Sequence, residues 1–308
     1  MGVWVDTDFG FDDLWALLLL QAQEVRVDGV SLGAGNAGLD QVVQNALAAR
    51  SVLDVDWPLS VGAATPLVRA PETAERILGP RGMVSRGQFL PTAPQEDLPR
   101  FLPEITHWLA RDLDRHEVLA LGPLTNLATL HSTSPEAFAK ISRITWMGGS
   151  AGRGNHSAHA EFNALADPEA AAQVFASGVP VDVVDLNACR QVTFAERDMP
   201  KGMPVLLADL LGGFLDIALS RGRDCMAIYD PLAALALVRP DSMTFAPVQV
   251  AVDLSGGETY GKTTFSAALD DNSPIRLAMH PVADAAKQCL AAFAPSTLST
   301  LIRKPSDA

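Results

Sequence analysis

Residues 3–23, VWVDTDFGFDDLWALLLLQAQ, contain a strand signal, an acidic loop and a helix signal in succession. The apolar residues 3–5 predict a short strand, and residues 13–23 predict a helix. The run 14–20, LWALLLL, is apolar on every side of that helix, which is typical of a fully buried helix. The loop and the first helical turn hold four aspartates: Asp6, Asp8, Asp12 and Asp13. The segment therefore predicts a buried strand and helix with acidic groups at the carboxyl end of the strand.

The same order of strand and helix repeats along the chain. Apolar runs of strand length occur at residues 3–5, 26–32, 59–62, 117–121, 141–147 and 181–186, and helical segments at 13–23, 40–53, 104–114 and 168–176. The strands are continuous apolar runs, as expected when a sheet is covered on both faces. The pattern predicts an α/β fold with an open, mostly parallel central sheet, helices on both faces and a Rossmann-like core. Further strands are expected at 248–252 and 263–267, and a closing helix at 282–292.

Composition narrows the class of protein. The chain has 308 residues, 48% of them hydrophobic and 19% charged, with a formal net charge of −13. A disordered chain would have lower hydrophobicity and higher charge density, and a nucleic-acid polymer would require a basic surface. The sequence contains no evident linker or internal repeat, so we expect a single domain over residues 1–308. Because the chain is acidic, we expect that it binds no nucleic acid polymer.

The sequence also bears on location in the cell. Three widely spaced cysteines give no disulfide framework, which favours a reducing compartment. The first residues carry no basic segment or cleavage signature, and the apolar run 14–20 is too short to cross a bilayer. We therefore expect a cytoplasmic protein with no membrane partner.

The aspartates after the first strand would repel one another if all of them were ionised. Each pair of carboxylates about 4 Å apart repels by roughly 4 kcal/mol at an effective dielectric constant near 20. Either some of them are protonated or a cation lies among them. Hard oxygen ligands favour Ca²⁺ or Mg²⁺ over zinc. Gly10 is expected to permit the tight turn that lets Asp8 and Asp13 converge.

Other interpretations of this cluster remain open at this point. Acidic residues stabilise helix N-termini, which would account for Asp12 and Asp13 but not for Asp6 and Asp8 at the strand end. Aspartyl-phosphate phosphatases also carry Asp-x-Asp after a first strand, although Gly10 and the added Asp12-Asp13 pair do not fit them. An EF-hand is excluded because its twelve-residue loop and terminal glutamate are absent. Two long loops, at 79–100 and 150–159, are candidates for lids over a ligand site.

The acidic motif resembles the opening motif of the nucleoside hydrolases, the inosine–uridine-preferring family. Further motifs of that family occur in the same order along the chain. They are Gly35-Asn36, Asn45-Ala46-Leu47, LGPLTN at 121–126, MGG at 147–149, Gly154-Asn155, AEFN at 160–163, DPEA at 167–170 and YDPLA at 229–233. The resemblance runs from residue 4 to about residue 290, and several ordered motifs are far more specific than one.

The resemblance implies an activity and its setting. It implies Ca²⁺-dependent hydrolysis of the N-glycosidic bond of purine or pyrimidine ribonucleosides to free base and ribose, in nucleoside salvage, by a homo-oligomer (a dimer or tetramer). The alternative is a non-catalytic or repurposed member that binds ribosides and metal without turning over standard nucleosides. The residue types suit the chemistry, because carboxylates stabilise the positive charge that develops on the sugar.

The resemblance also assigns roles to individual residues. The metal would be bound by the carboxylates of Asp8, Asp13 and Asp230 and by the Thr125 carbonyl, with Asp6 assisting. Asp12 would be the general base that activates a metal-bound water. The substrate-binding residues would be Asn36, Met147, Asn155, Glu161, Phe162 and Asn163, in which the polar members hold the ribose hydroxyls.

Three departures from the family pattern concern the base of the nucleoside. Many relatives have histidine at the positions of Tyr229 and Leu78, and proline at that of Phe9. Without these histidines, the proton for the departing base needs another source. Tyr229 is the candidate, as acid or as a stacking partner. The other candidates are His156, His159, Arg221 and Arg223.

Overall fold

The opening segment forms a strand, β1 (Gly2–Thr7), and a helix, α1 (Phe11–Ala22), as predicted. In the computed structural model, which describes residues 2–270 and 272–298, every side chain of the run 14–20 is fully buried. The other strands are β2 (Arg26–Leu32), β3 (Leu59–Val61), β4 (Glu117–Ala120), β5 (Arg143–Met147), β6 (Val181–Val184), β7 (Thr193–Phe194), β8 (Met226–Ala227), β9 (Met243–Val252), β10 (Thr263–Ala267) and β11 (Ile275–Pro281).

Helices connect most of these strands. They are α2 (Leu39–Leu53), α3 (Glu75–Leu78), α4 (Phe101–Leu109), α5 (Thr125–Thr133), α6 (Pro135–Phe138), α7 (Phe162–Ala166), α8 (Pro168–Phe175), α9 (Leu186–Cys189), α10 (Val205–Leu219), α11 (Asp230–Val238), α12 (Ala285–Leu290) and α13 (Pro295–Leu298). Among the described residues, no helix has the length and hydrophobicity needed to cross a bilayer.

The main sheet has nine strands in the order β10-β9-β11-β6-β5-β4-β1-β2-β3. Strands β3, β2, β1, β4, β5, β6 and β11 pair in parallel, whereas β9 is antiparallel to both β11 and β10. The predicted mostly parallel sheet is therefore confirmed. Strand order reverses between β1 and β4, and a reversal of this kind leaves a crevice at the carboxyl ends of the strands where ligands bind.

The alternation of side chains along β1 separates two hydrophobic cores. Val3 and Val5 pack into a core that contains α1, α2, α10 and α11. Trp4, which points to the other face, packs into a core that contains α4, α5 and α8. Helices therefore cover both faces of the sheet, as predicted.

The last third of the chain differs most from the sequence prediction. The expected strand at 248–252 is the second half of the longer β9. The expected closing helix is shorter, because β11 takes up residues to Pro281 and α12 begins at Ala285. The sequence analysis also missed α10 and α11, which form much of one core.

Candidate functional site

A cavity of about 880 Å³ opens at the carboxyl ends of the central strands. Asp8 follows β1, Leu121 follows β4 and Met147 ends β5, and all three line the cavity. This volume is typical of small-molecule sites. Ten of the site residues expected from the sequence line it: Asp8, Asp12, Asn36, Met147, Asn155, Glu161, Phe162, Asn163, Tyr229 and Asp230.

Carboxylates from both ends of the chain meet at the floor of this cavity. Oxygen atoms of Asp12, Asp13 and Asp230 lie within 4.8 Å of one another, so this group could hold a metal ion. Asp13 and Asp230 share a hydrogen bond. Within the described part of the chain, no lysine or arginine forms an ion pair with these carboxylates. Among the described residues, these carboxylates therefore have no basic partner, and their oxygen atoms suit a cation.

Asn36 holds Asp8 next to this group. Its backbone N–H donates to Asp8 Oδ2 over 2.7 Å, and its Nδ2 donates to Asp8 Oδ1 over 2.9 Å and to Asp13 Oδ2 over 3.1 Å. A Cβ atom at Gly10 would lie 2.4 Å from Asn36 Nδ2. Glycine is therefore needed at position 10 so that Asn36 can approach both carboxylates.

The turn itself is made by Phe9 rather than by Gly10. Phe9 has a φ of 40°, in the left-handed region, whereas Gly10 has an extended conformation with a φ of −81°. The expected role of Gly10 as the flexible residue of the turn is therefore wrong. Proline cannot adopt a φ of 40°, so proline at position 9 would not fit the turn that Phe9 makes here. The Phe9 ring is fully buried.

Burial and mutual repulsion raise the pKa values of the aspartates at the floor of the cavity. Burial, with the Asp13 charge adding to it, raises the pKa of Asp12 to about 8. Burial followed by the neighbouring aspartates raises the pKa of Asp8 and of Asp230 well above its usual value. Positive charge placed among these groups would favour their ionised forms and release the protons.

Three expected metal ligands, Asp6, Asp13 and Thr125, do not line the cavity, although an oxygen of Asp13 lies within 4.8 Å of oxygens of Asp12 and Asp230, which do. The Asp6 carboxylate accepts hydrogen bonds from Ser31 Oγ and, over 2.8 Å, from Asn126 Nδ2. Burial raises its pKa to about 6. Thr125 lies in the first turn of α5, and its carbonyl accepts a hydrogen bond from Thr129 Oγ1 over 2.7 Å. Neither Asp6 nor Thr125 lines the cavity. The structure does not bring the Thr125 carbonyl to the acidic floor.

Leu121 is the residue of the LGPLTN loop that reaches the cavity. It follows β4 directly, and its carbonyl accepts a hydrogen bond from Asn163 Nδ2 over 2.8 Å. The next residue, Gly122, packs against Asp8, since a Cβ there would lie 3.2 Å from Asp8 Cγ. The sequence analysis missed Leu121, although its place at the end of a central strand was a signal that pointed to it.

Polar side chains from α7 form one wall. Glu161 caps this helix, because its carboxylate accepts hydrogen bonds from the backbone N–H groups of Asn163, Ala164 and Gly149 over 2.8, 3.0 and 2.8 Å. Burial raises its pKa to about 7. Asn163 Nδ2 donates to the carbonyls of Leu121 and Met147, and its Oδ1 accepts no hydrogen bond from any described residue. That oxygen is available to a ligand.

The loop at 150–159 covers the same side. Asn155 Oδ1 accepts a hydrogen bond from the Phe162 backbone N–H over 3.0 Å. His156 contacts the Glu72 carboxylate, and its ring centroid lies 5.3 Å from that of Phe162. His159 does not line the cavity. The other long loop, 79–100, lines no part of the cavity, and Arg86 ties it to Glu196 and Asp216.

Tyr229 lies at the opposite side, immediately before Asp230. Its ring packs edge-on against Phe214 with 6.3 Å between centroids. Burial raises the pKa of its hydroxyl to about 12, and the hydroxyl makes no hydrogen bond within residues 2–270 and 272–298. Leu78, the other position where relatives carry histidine, also lines the cavity. Arg190, Arg221 and Arg223 also line the cavity, and the charges of Arg223 and Arg190 act on Tyr229, so this part of the cavity combines aromatic, apolar and basic side chains.

Known proteins share both this sequence pattern and this fold. Residues 3–288 match the family described as inosine-uridine preferring nucleoside hydrolase. The chain is 37% identical over 267 residues to the non-specific ribonucleoside hydrolase RihC of Escherichia coli O1:K1 / APEC, across 85% of this chain and 86% of that protein. Its fold is similar to that of a purine-preferring ribonucleoside hydrolase from Gardnerella vaginalis, with a TM-score of 0.87, 24% identity and coverage of 97% and 100% of the two chains.

A plant nucleoside hydrolase, PpNRh1, is also similar, with a TM-score of 0.85 and 25% identity across 96% of this chain and 99% of that one. The family match and the 37% identity to RihC confirm the resemblance inferred from the motifs. The chain belongs to the inosine-uridine preferring nucleoside hydrolase family, whose members are hydrolases that act on N-glycosyl bonds.

Proposed function

We propose that this protein hydrolyses the N-glycosidic bond of ribonucleosides to free base and ribose, with Ca²⁺ as its metal. The observation that carries the proposal is the meeting of an acidic floor and an asparagine–glutamate wall in one cavity at the reversal of strand order. The printed name of RihC, a non-specific ribonucleoside hydrolase, supports the same substrate class. No feature of the cavity favours a non-catalytic member.

The donor set fits a hard divalent cation. Carboxylates crowd the floor without a basic partner among the described residues, and their pKa values are raised. Asp8, Asp13 and Asp230 would hold the ion, with the Leu121 carbonyl in place of that of Thr125. Asp6 would assist only through Ser31 and Asn126. When bound, Ca²⁺ supplies positive charge and free coordination positions for ribose hydroxyls and water.

Asp12 is proposed as the general base. Its side chain is half-buried and lines the cavity, whereas the other floor aspartates are buried, and bound Ca²⁺ would lower its raised pKa. A base works best with a pKa near the working pH. In the reaction a bond forms between the water oxygen and C1′ of ribose, the C1′–N bond breaks, and Asp12 takes a proton from the water.

The wall residues would bind the sugar. Asn36, Asn155, Glu161 and Asn163 offer amide and carboxylate groups for the ribose hydroxyls, and Met147 and Phe162 add apolar contact. Their positions on strand ends and on α7 fix the sugar relative to Asp12. Orientation of this kind lowers the barrier because the reacting groups are already aligned.

Tyr229 is proposed to assist departure of the base. The hydroxyl carries its proton at neutral pH, and its raised pKa makes it a weaker acid than an exposed tyrosine. The electron pair of the broken C1′–N bond passes to the base, which then takes up a proton from Tyr229 or from water. Because phenol is a weak acid, we expect this help to matter most for bases that leave poorly.

A chromatographic assay of base release tests the proposal. Inosine, uridine, adenosine and cytidine are incubated with the full chain, with Ca²⁺ or with a chelator, and with the Asp12→Asn variant as matched control. We expect free base and ribose only from wild-type protein with Ca²⁺. Release of no base from any of these would reject the proposed activity. The single-domain organisation and the cytoplasmic location stay predictions, as does the homo-oligomer, which light scattering checks.

A further inference from the structure

Four arginines line the same cavity as the acidic floor. This arginine rim consists of Arg153, Arg190, Arg221 and Arg223. None of the four forms an ion pair with a carboxylate of the described chain, although arginines elsewhere, such as Arg143 and Arg276 at Asp182, do. The sequence has 36 acidic residues against 23 Lys+Arg, so acidic partners are plentiful. All four side chains are exposed, and the rim is therefore solvated positive charge beside a ligand cavity that no carboxylate of the described residues pairs with directly.

Backbone carbonyls hold one rim arginine, Arg190, and two rim arginines act on Tyr229. Arg190 donates from its two terminal nitrogens to the carbonyls of Arg153 and Gly154, over 2.7 and 3.0 Å. Burial is the main cause of the raised pKa of Tyr229, and the charges of Arg223 and Arg190 oppose it. The rim thus runs from the loop at 150–159 to the segment before Tyr229.

Guanidinium groups have a defined ligand chemistry. They bind carboxylates and phosphates through paired N–H donors, and such bonds to charged groups are stronger than neutral ones. A neutral nucleoside would cover part of the rim and leave these charges with less water and no partner. A ligand with its own negative charge would compensate them.

We propose that the preferred substrates are ribonucleosides that carry an anionic group, which the arginine rim binds. This inference rests on the proposed function, since it names the substrate class of the same cavity. The anionic group could be borne by the base, as a ring carboxylate is, or by the 5′ position, as a phosphate is. Both offer the planar or tetrahedral oxyanion that a guanidinium recognises.

Uridine derivatives separate the two sources. Orotidine is uridine with a carboxylate on the base, and uridine 5′-monophosphate is uridine with a phosphate on the sugar. We would measure kcat/KM for all three with saturating Ca²⁺ at low ionic strength. We expect at least one of the two anionic compounds to exceed uridine by about tenfold, as a hydrogen bond between charged groups predicts. The compound that does so identifies the source of the charge.

Variants test whether the rim is responsible. In Arg190→Gln and Arg223→Gln the ratio of anionic to neutral kcat/KM should fall about tenfold. Arg239→Gln is the matched control, because Arg239 lies outside the cavity and its Nε donates to Gln23 over 3.1 Å. Its ratio should stay as in the wild type. Added salt should lower the ratio in wild-type protein, since salt screens exposed charges.

The outcomes distinguish this inference from the proposed function. Turnover of uridine with no preference for either anionic compound would overturn the inference and leave the nucleosidase activity intact. An equal fall of the ratio in Arg239→Gln would also overturn it. If none of the three compounds is hydrolysed, the proposed activity is wrong. Calorimetric titration of the Ca²⁺-loaded protein with the same three compounds then tests the arginine rim on its own. Tighter binding of orotidine or uridine 5′-monophosphate than of uridine supports the rim, and equal affinity overturns it.

Discussion

Asp13, in the first turn of α1, and Asp230, the first residue of α11, share a hydrogen bond at the floor of the cavity. The two helices pack against each other in one hydrophobic core. The carboxylates are therefore held together by the tertiary fold and not by local sequence. Metal binding and folding should be coupled, because a ligand set of this kind does not exist in the unfolded chain.

The metal-free protein should lose stability as the pH rises. Folding raises the pKa of Asp12 from 3.8 to about 8 and that of Glu161 from 4.5 to about 7. The stability that these groups contribute is complete below about pH 4 and is lost as the pH rises through about 8, because the native state binds more protons than the unfolded state between these values. Thermal unfolding with a chelator should show Tm falling from pH 5 to pH 8. Saturating Ca²⁺ should reduce this fall, and identical slopes with and without the ion would contradict a metal at the floor.

Removal of a proposed ligand should weaken Ca²⁺ binding. Asp8→Ala and Asp230→Asn each delete a carboxylate oxygen donor, and we expect affinity to fall at least about tenfold in calorimetric titration. Thr125→Val is the control, because the Thr125 hydroxyl donates to Asp167 outside the cavity. A loss of affinity in Thr125→Val as large as that in Asp8→Ala would contradict the assignment of Asp8 as a ligand, because the control deletes no carboxylate oxygen.

Replacement of Asp12 by asparagine should abolish catalysis with little change in fold. The amide cannot accept the proton of the attacking water, so kcat should fall by about 10²–10⁴. Circular dichroism and Ca²⁺ titration of the same variant check the fold and the metal. Oxygen atoms of Asp12 lie within 4.8 Å of those of Asp13 and Asp230. If Asp12→Asn lowers the Ca²⁺ affinity as much as Asp230→Asn does, Asp12 is a metal ligand and not the base.

Substrates with different leaving groups distinguish a role of Tyr229 as an acid from a packing role. Tyr229→Phe keeps the ring that packs against Phe214 and removes only the hydroxyl. If the hydroxyl protonates the base, kcat should fall most for adenosine and inosine and least for p-nitrophenyl riboside, whose leaving group needs no proton. Equal falls across the series would dismiss Tyr229 as the acid and leave it a packing role.

The sugar wall should reject 2′-deoxynucleosides. Glu161 and Asn163 are buried, so a missing hydroxyl would leave polar groups without a partner. Sites built to bind a hydroxyl discriminate by factors that reach about 10⁴. We expect kcat/KM for 2′-deoxyuridine to be at least about 10² below that for uridine. Comparable values would show that the wall does not bind this hydroxyl.

Local patterns predicted the strands and helices at the centre of the sheet. β1, β2, β4 and β5 are apolar runs bounded by polar turns, and their order alone indicated a parallel sheet. β11 was missed because only part of IRLAMHP is buried, so its pattern is weaker. Its pairing with β6 and β9 is a long-range contact that no local signal reports.

Helix α10 was missed for a different reason. Its sequence contains Gly212 and Gly213, and glycine disfavours helix interiors. In the fold, a Cβ on Gly213 would lie 2.5 Å from the backbone of Ser85, so the glycines let the loop at 79–100 approach the helix. The site shows the same limit of local sequence patterns. Most residues predicted from the motifs line the cavity, but whether Thr125 or Leu121 lines it depends on where the chain turns after β4, which no local pattern reports.

The floor and the rim of the cavity come from different stretches of chain. Strand ends and helix starts supply the floor, while residues 150–159 and 190–223 supply the rim. Mutations can therefore accumulate in the outer segments without disturbing the inner carboxylates. For a protein engineer this separation is a design route, in which the arginine positions of the outer segments are exchanged between relatives while Asn155 and Tyr229 are kept, so that substrate selectivity changes and the floor carboxylates stay in place.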